Sequence, residues 1–243
     1  MSFLSDLFRI AIRQPLFNLL VFFYVYVTGH DLGFAIILLT ILIMLLLWPL
    51  QKKAIKAQLV IQELQPKIKE IEKQYKNDKP KQAEEMMKLY KSQEINPFAG
   101  ILMMFLQWPI LIAMYRMFLD VFKPENMSLL YGFMPKPEVI TTTFLGIINL
   151  KEPSIPLAIM AGLLQILQIR MMTKKTTQTK NSQKFISYGL SALIVVFLFR
   201  WPSALALYYC VFTVFNIFQQ KILYKNIEKH GQKGIIKENP KTI

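Results

Sequence analysis

The sequence has little of the chemistry that enzymes and metal sites require. Its 243 residues include one cysteine, Cys210, and two histidines, His30 and His230. One cysteine cannot form a disulfide framework or a cysteine-based metal site within the chain. There is no helix with paired histidines and a glutamate, no Gly-x-Ser-x-Gly nucleophile elbow and no glycine-rich phosphate loop. The chain is therefore not predicted to be an enzyme, to bind a metal or to need a cofactor.

Acidic residues are also scarce, and they are absent from the apolar runs. The chain has 15 Asp and Glu against 29 Lys and Arg, which gives a net charge of +14. Proton relays and ion pathways in membranes usually need intramembrane carboxylates. Their absence argues against a pump or an ion-coupled transporter, although a channel or transporter that produces solute flux in liposomes stays as an alternative.

Long apolar runs dominate what is present, since 53% of the residues are hydrophobic. Five uncharged segments could cross a bilayer, namely 32–51, 97–115, 153–169, 185–199 and 201–220. A spanning helix needs about 20 apolar residues, so the third and fourth segments are short and require snorkelling flanks or a thinned bilayer. The fold class predicted is an all-α integral membrane protein with five transmembrane helices.

The distribution of lysine predicts the orientation. Eleven lysines lie in 52–94, four in 173–184 without any acid, and six follow residue 220, whereas the loop 116–152 is nearly balanced. Loops rich in Lys and Arg stay in the cytoplasm. The C-terminus is therefore expected in the cytoplasm and, with five spans, the N-terminus outside.

The N-terminal stretch permits two interpretations. Residues 15–29 are apolar but only 15 residues long. They could form an interfacial helix that lies flat on the outer surface. They could instead form a short sixth span, which would place Arg9 and Arg13 in the cytoplasm and also satisfy the charge rule.

The basic segment 51–95 has a helical pattern. Its first half carries apolar residues mostly three or four positions apart, at Ile55, Leu59, Leu64, Ile68, Ile71 and Tyr75. Residues 77–80 read Asn-Asp-Lys-Pro, a turn signal, and a second apolar stripe follows. The pattern predicts a helical hairpin outside the membrane, with a solvated charged linker as the alternative.

Neutral polar residues are scattered through the predicted spans. They are Thr40, Gln107, Gln165, Gln168, Ser187, Ser191, Tyr208, Tyr209, Thr213 and Asn216. Each costs free energy in lipid unless it is hydrogen-bonded or hydrated. A single such residue most often joins helices, but the whole set favours a polar cavity within the membrane.

An ordered series of short motifs resembles one family. The motifs are Gln14-Pro15-Leu16-Phe17, Pro49-Leu50, Leu64-Gln65-Pro66-Lys67, Asn96-Pro97, Gln107-Trp108-Pro109-Ile110, Trp201-Pro202-Ser203, Leu207-Tyr208-Tyr209 and Gln219-Gln220. In order and spacing they resemble the YidC family of membrane protein insertases, over about residues 14–229. No single motif is unique, whereas the ordered set is very specific.

The resemblance implies an arrangement for the whole chain. An N-terminal amphipathic, interfacial segment (1–30) precedes a five-helix insertase core (31–223) with a cytoplasmic hairpin (51–95) and an outer loop (116–153), and a basic cytoplasmic tail (224–243) follows. It implies a location in the plasma (inner) membrane. It also implies a hydrophilic groove that takes up nascent hydrophobic segments and releases them into lipid without nucleotide.

The expected groove residues are Thr40, Met44, Gln107, Tyr209 and Thr213. Members of the family typically carry an arginine where this chain has Met44, which removes an electrostatic attraction for acidic substrate tails. We therefore expect a preference for short or weakly charged tails. The same departure keeps a third alternative open, a membrane scaffold without insertase activity.

The implied partners are nascent membrane proteins, the ribosome and, in some cases, a Sec-type translocon. The basic tail could contact ribosomal RNA through phosphates or anionic lipid headgroups, and the sequence does not separate these two. No specific DNA binding is expected.

Overall fold

The computed structural model describes residues 3–173, 189 and 192–229. Over these residues the protein is mainly α-helical, which confirms the all-α part of the predicted class, whereas the five transmembrane helices and the cytoplasmic hairpin stay predictions. The helices are α1 (Phe3–Phe8), α2 (Gln14–Tyr26), α3 (Leu32–Glu63), α4 (Gln65–Gln74), α5 (Lys79–Ser92), α6 (Ala99–Val121), α7 (Ile155–Thr173), α8 (described over 192–198) and α9 (Ser203–Lys229). A π-helical turn (Arg9–Arg13) joins α1 to α2, a 3₁₀ helix (Pro124–Leu129) follows α6, and β1 (Thr143–Phe144) pairs antiparallel with β2 (Ile148–Asn149).

Two helical stretches among the described residues are long and apolar enough to cross a membrane, Asp6–Tyr26 and Leu32–Ile61, and a shorter apolar one covers Ile155–Met171. The predicted spans 97–115 and 201–220 fall in or around α6 and α9. In the predicted span 185–199, residues 189 and 192–199 are described, and 192–198 of these form α8. The first stretch begins well before residue 15, because the π-helical turn continues the helix instead of ending it.

Helix α3 starts at a clear cap. The Asp31 carboxylate accepts the backbone N–H of Gly33 at 2.8 Å and of Phe34 at 3.1 Å, which satisfies donors that a helix N-terminus leaves unpaired. The helix has 32 residues. It rises about 48 Å, so it extends well beyond a hydrocarbon core of about 30 Å.

Helices α3 and α9 run parallel and pack against each other. Both N-termini lie against the β1–β2 region, since Asp31 accepts the Leu145 N–H at 3.0 Å and the Ser203 hydroxyl donates to the Asn149 carbonyl at 2.7 Å. Further along, the Trp48 and Phe215 rings meet at 5.6 Å. Trp48 and Phe215 therefore lie at the same height along the two helix axes, and the residues that follow each of them do so as well.

The apolar interior has two separate parts. The main core joins buried side chains of α2, α3, α6, α7 and α9. A second, small cluster is formed by Val60, Leu64 and Ile68, with Met86, Leu89 and Tyr90 of α5 packed against it. The Gln82 amide also donates to the Glu72 carbonyl at 3.1 Å and joins α5 to α4.

Helix α2 lies along the segment that connects α6 to α7. Gln14 and Asn18 donate to the Leu129 carbonyl, both at 3.1 Å, and near its other end the Tyr24 hydroxyl lies 3.1 Å from the Thr141 hydroxyl. Just before α2, Arg13 forms an ion pair with Asp120 in the last turn of α6. Both ends of α2 are thus fixed to the same side of the helix bundle.

Candidate functional site

One face of α3 carries three buried polar or sulfur-containing side chains. Thr40, Met44 and Gln51 follow the spacing 0, +4, +11, which returns to the same face of a helix. Their exposures are 0%, 2% and 4%. The Thr40 hydroxyl donates to the Ile36 carbonyl at 2.6 Å, so its proton is used within its own helix.

Met44 has a polar neighbour from its own helix. The Gln51 amide nitrogen lies 3.6 Å from the Met44 sulfur, a weak acceptor. The Gln51 side-chain oxygen is buried without a hydrogen-bond partner. Position 44 is therefore reached by a neutral amide.

Helix α9 repeats the spacing found on α3. Tyr209, Thr213 and Gln220 again follow 0, +4, +11. The Thr213 hydroxyl donates to the Tyr209 carbonyl at 2.8 Å, as Thr40 does within α3. The Tyr209 hydroxyl donates to the side-chain oxygen of Gln165 on α7 at 3.1 Å, so this face of α9 is tied to α7 through a polar contact.

Three buried glutamines lie at one level of the α3–α9 pair, and we call them the glutamine layer: Gln51, Gln219 and Gln220. Gln51 is three residues beyond Trp48, and the other two are four and five residues beyond Phe215, the ring that Trp48 contacts. Gln219 is 0% exposed and Gln220 4%. Both amide atoms of Gln219 and the side-chain oxygens of Gln51 and Gln220 lack hydrogen-bond partners.

Unpaired amide groups of this kind are costly in a dry interior. A buried donor or acceptor left without a partner costs about 1–3 kcal/mol, and native proteins keep few of them. Buried groups that persist unpaired need a partner such as water or a ligand. The layer can donate to carbonyl oxygens and accept from N–H or O–H groups, but it carries no charge.

Positive charge begins immediately beyond the layer. Lys52 and Lys53 follow Gln51, Lys221 follows Gln220, and all three are exposed. The layer thus marks the end of the uncharged stretch on both helices.

Within the described residues, no cluster of three or more His, Cys, Asp or Glu side chains could hold a metal ion.

The structure places four of the five predicted site residues on two packed helices. Thr40 and Met44 lie on α3, and Tyr209 and Thr213 lie on α9. Gln107 belongs to α6, but its side chain lies outside the described part of the structure.

The glutamine layer was not among the predicted site residues. In the sequence, Gln51 and Gln220 end uncharged runs, and Gln219-Gln220 belongs to one of the family-like motifs. The signal that could have found them is the seven-residue step from Met44 to Gln51 and from Thr213 to Gln220.

Comparisons with known proteins give consistent results. The model of the family described as "60Kd inner membrane protein" matches residues 22–230. A protein of Clostridium tetani is 34% identical over 205 residues, which cover 84% of this chain and 86% of the relative. A protein of Oceanobacillus iheyensis is 34% identical over 209 residues, with 82% and 77% covered. A protein of Wigglesworthia glossinidia brevipalpis is 31% identical over 220 residues, which cover 90% of this chain but only 38% of that relative. All three relatives carry the name "Membrane protein insertase YidC".

Proposed function

This chain belongs to the 60Kd inner membrane protein family, and from that premise we propose that it inserts nascent hydrophobic segments of other proteins into the inner membrane. The resemblance that the motifs indicated is confirmed by the family match and by the named relatives. The buried, unpaired glutamine layer is the observation that best supports an insertase.

The proposed role of the layer is to lower the cost of bringing polar groups into the membrane. An unpaired peptide group costs about 2–7 kcal/mol in an apolar medium. We propose that the partnerless amide atoms of Gln51, Gln219 and Gln220, which are buried in this structure, become accessible and pair with such groups at the point where a segment leaves water. Release is then driven by burial of the apolar side chains in lipid, at about 0.8 kcal/mol per CH₂ group, and the groove itself uses no nucleotide.

The groove is proposed to be neutral as well as polar. Gln51 supplies an amide beside Met44, where the family typically has a charged group, and the threonine hydroxyls are already bonded to their own helices. A neutral amide pairs with backbone and hydroxyl groups but attracts a carboxylate much less than a guanidinium does. Substrates with short or weakly charged tails should therefore be preferred.

The proposed topology places the glutamine layer, the α4–α5 pair and the C-terminal tail on the cytoplasmic side. It follows the lysine distribution. The α6–α7 connection then lies outside with α2, which is proposed to be interfacial because both of its ends contact that side. The ribosome, a Sec-type translocon and anionic lipids are proposed partners on the cytoplasmic or lateral surfaces.

Reconstitution tests the proposed function. The purified chain in liposomes should render a small single- or double-spanning substrate protease-protected. A Gln51→Leu, Gln219→Leu, Gln220→Leu variant should insert less, whereas Phe218→Leu, at an exposed position of α9, should behave like the wild type. Insertion that only Met44→Arg restores would contradict an independent insertase and favour a scaffold or a partner-dependent protein.

A further inference from the structure

The connection between α6 and α7 contains an uncharged stretch that ends in an exposed apolar tip. Residues 139–150 carry no charged side chain. Within them, β1 and β2 are joined by Leu145, Gly146 and Ile147, and the two aliphatic side chains are 57% and 84% exposed. We propose that this hairpin tip inserts into the headgroup region of the leaflet that borders it and anchors the start of α3 there.

The level of the tip relative to the membrane follows from its link to α3. The Asp31 carboxylate caps α3 through Gly33 and Phe34 and, with its second oxygen, accepts the Leu145 N–H at 3.0 Å. Leu32 is the first residue of the helix and of its uncharged run. One carboxylate therefore holds the turn of the hairpin at the height where the hydrocarbon core begins, which is where headgroups lie.

The hairpin is also packed tightly onto the first turn of α3. A side chain at Gly33 would place its Cβ 2.0 Å from the Phe144 ring, so only glycine permits this approach. On the next residue, the Phe34 ring contacts the Phe144 ring edge to face at 5.4 Å. These contacts fix the direction of the tip, and they join it to an exposed aromatic side chain of α3.

The backbone conformation of Leu145 is unfavourable for leucine, so folding alone does not explain leucine at this position. Leu145 has φ 54°, a left-handed conformation that glycine and asparagine adopt far more readily than leucine. A bulky side chain that is both strained and exposed gains nothing in water. Contact with lipid supplies a physical reason for leucine at this position.

The tip continues an exposed apolar surface of α3. Phe34, Leu45 and Leu46 are 43%, 53% and 69% exposed on α3, a helix apolar enough to span the membrane. Lipid is favoured over a protein partner because the tip lies at the end of this exposed apolar surface and has no charge that would select a protein. The inference requires that α3 spans the membrane and does not depend on insertase activity.

A site-specific fluorescent probe tests the position of the tip. The one native cysteine, Cys210, is buried, so Ile147→Cys on a Cys210→Ala background can be labelled with an environment-sensitive dye in the full chain in lipid nanodiscs. The matched control is Lys151→Cys, an exposed position that closely follows β2. We expect a blue-shifted emission at 147 relative to 151, and quenching by lipids that carry a spin label near the headgroup.

A second variant separates lipid contact from folding. Leu145→Asn suits the left-handed backbone and should leave thermal stability unchanged or higher, yet it should reduce the blue shift and the lipid quenching at 147. An aqueous emission at 147 would overturn the proposal. A blue shift without lipid quenching would do so too, because it would place a protein surface over the tip.

The same probes test the proposed membrane topology separately from the proposed lipid contact of the hairpin tip. A membrane-impermeant quencher added to either side of liposomes should reach the probe at 151 from one side only. If that side is the one proposed as cytoplasmic, the topology fails while the lipid contact of the tip is still measured by the spin-labelled lipids.

Discussion

At the scale of residues, the chain combines satisfied hydroxyls with unsatisfied amides. The threonines of α3 and α9 donate to carbonyls one turn back, at 2.6 and 2.8 Å, and so are paired without any other helix. In the glutamine layer, both amide atoms of Gln219 and the side-chain oxygens of Gln51 and Gln220 lack a hydrogen-bond partner. A glutamine side chain is long enough to reach groups outside its own helix, which is why the amides, rather than the hydroxyls, are suited to meet a substrate.

Met44→Arg should change which substrates are inserted. The new guanidinium would add a positive charge beside Gln51 and attract acidic tails. We expect insertion of an acidic-tailed substrate to increase relative to a neutral-tailed one in the liposome assay. Met44→Leu, similar in volume and neutral, should behave as the wild type, and an unchanged ratio in Met44→Arg would contradict a neutral groove.

The Arg13–Asp120 ion pair should couple α2 to α6 energetically. Its side chains are 18% and 14% exposed, against 44% and 41% for the Arg9–Asp6 pair one turn earlier. Breaking a largely buried pair leaves a charge without its partner. In double-mutant cycles with alanine, measured by unfolding in mixed micelles, we expect a coupling of about 1–2 kcal/mol for Arg13–Asp120. The exposed Arg9–Asp6 pair serves as the control and should give less than about 0.5 kcal/mol, and equal coupling would refute this ranking.

At the scale of elements, the α4–α5 pair has its own small core. Leu64 is 1% exposed and lies in the cluster with Val60 and Ile68, apart from the main core. Leu64→Ala removes buried apolar volume, at a cost of about 2–4 kcal/mol. Hydrogen exchange should therefore speed up across α4 and α5 while the amides of α9 stay protected. Met87→Ala, at a half-exposed site of α5, is the control, and loss of protection in both regions would show one cooperative unit instead.

The end of α3 should respond to pH through Glu63. Burial raises the pKa of this carboxyl, and one of its oxygens lacks a hydrogen-bond partner. A raised pKa means that the charged form is disfavoured in the folded state, so stability is highest below the ordinary glutamate pKa of about 4.3 and falls as pH rises through the raised value. Glu63→Gln should then be more stable than the wild type at pH 7 and equal to it near pH 4, as followed by thermal unfolding. Glu70→Gln, at an exposed position of α4, is the matched control, and an equal effect of the two substitutions would contradict a role for burial at Glu63.

The elements also show how far the sequence could predict the structure. The all-helical class and the family followed from uncharged runs and ordered motifs, because helix periodicity and spacing are local properties. The early start of the first helix was missed, since an Arg9–Arg13 π-helical turn carries no composition signal. The β1–β2 hairpin was missed too, because strands of two residues are held by Asp31 and α3 and not by their own propensity.

The candidate site was predicted only where polarity interrupted an apolar run. Thr40, Thr213 and Tyr209 stood out in that way, and Met44 stood out by comparison with the family. Gln51 and Gln220 sit where lysines begin, so they looked like helix ends. Their burial depends on the parallel packing of α3 against α9, which no local pattern encodes.

At the scale of the whole molecule, the two ends of the α3–α9 pair differ in polarity. One end is joined to the β1–β2 region through Asp31 and Ser203, whereas the other carries the glutamine layer and then exposed lysines. In the proposed mechanism, a segment that enters from the lysine-rich end meets neutral amides first and an apolar interior next. Insertion requires the same order of steps, because the polar groups of the segment lose their hydration before its apolar side chains are buried in lipid.

Photo-crosslinking to a stalled nascent membrane segment tests the central claim most directly. A photoreactive residue is placed at Met44, on the α3 face of the proposed groove, and, as the matched control, at Leu46, which is 69% exposed on the same helix. We expect crosslinks from position 44 with little from 46 while the segment is short, and loss of the crosslink at 44 when Gln51, Gln219 and Gln220 are changed to leucine. Crosslinks from 46 alone, or a crosslink at 44 that survives the removal of all three amides, would contradict it.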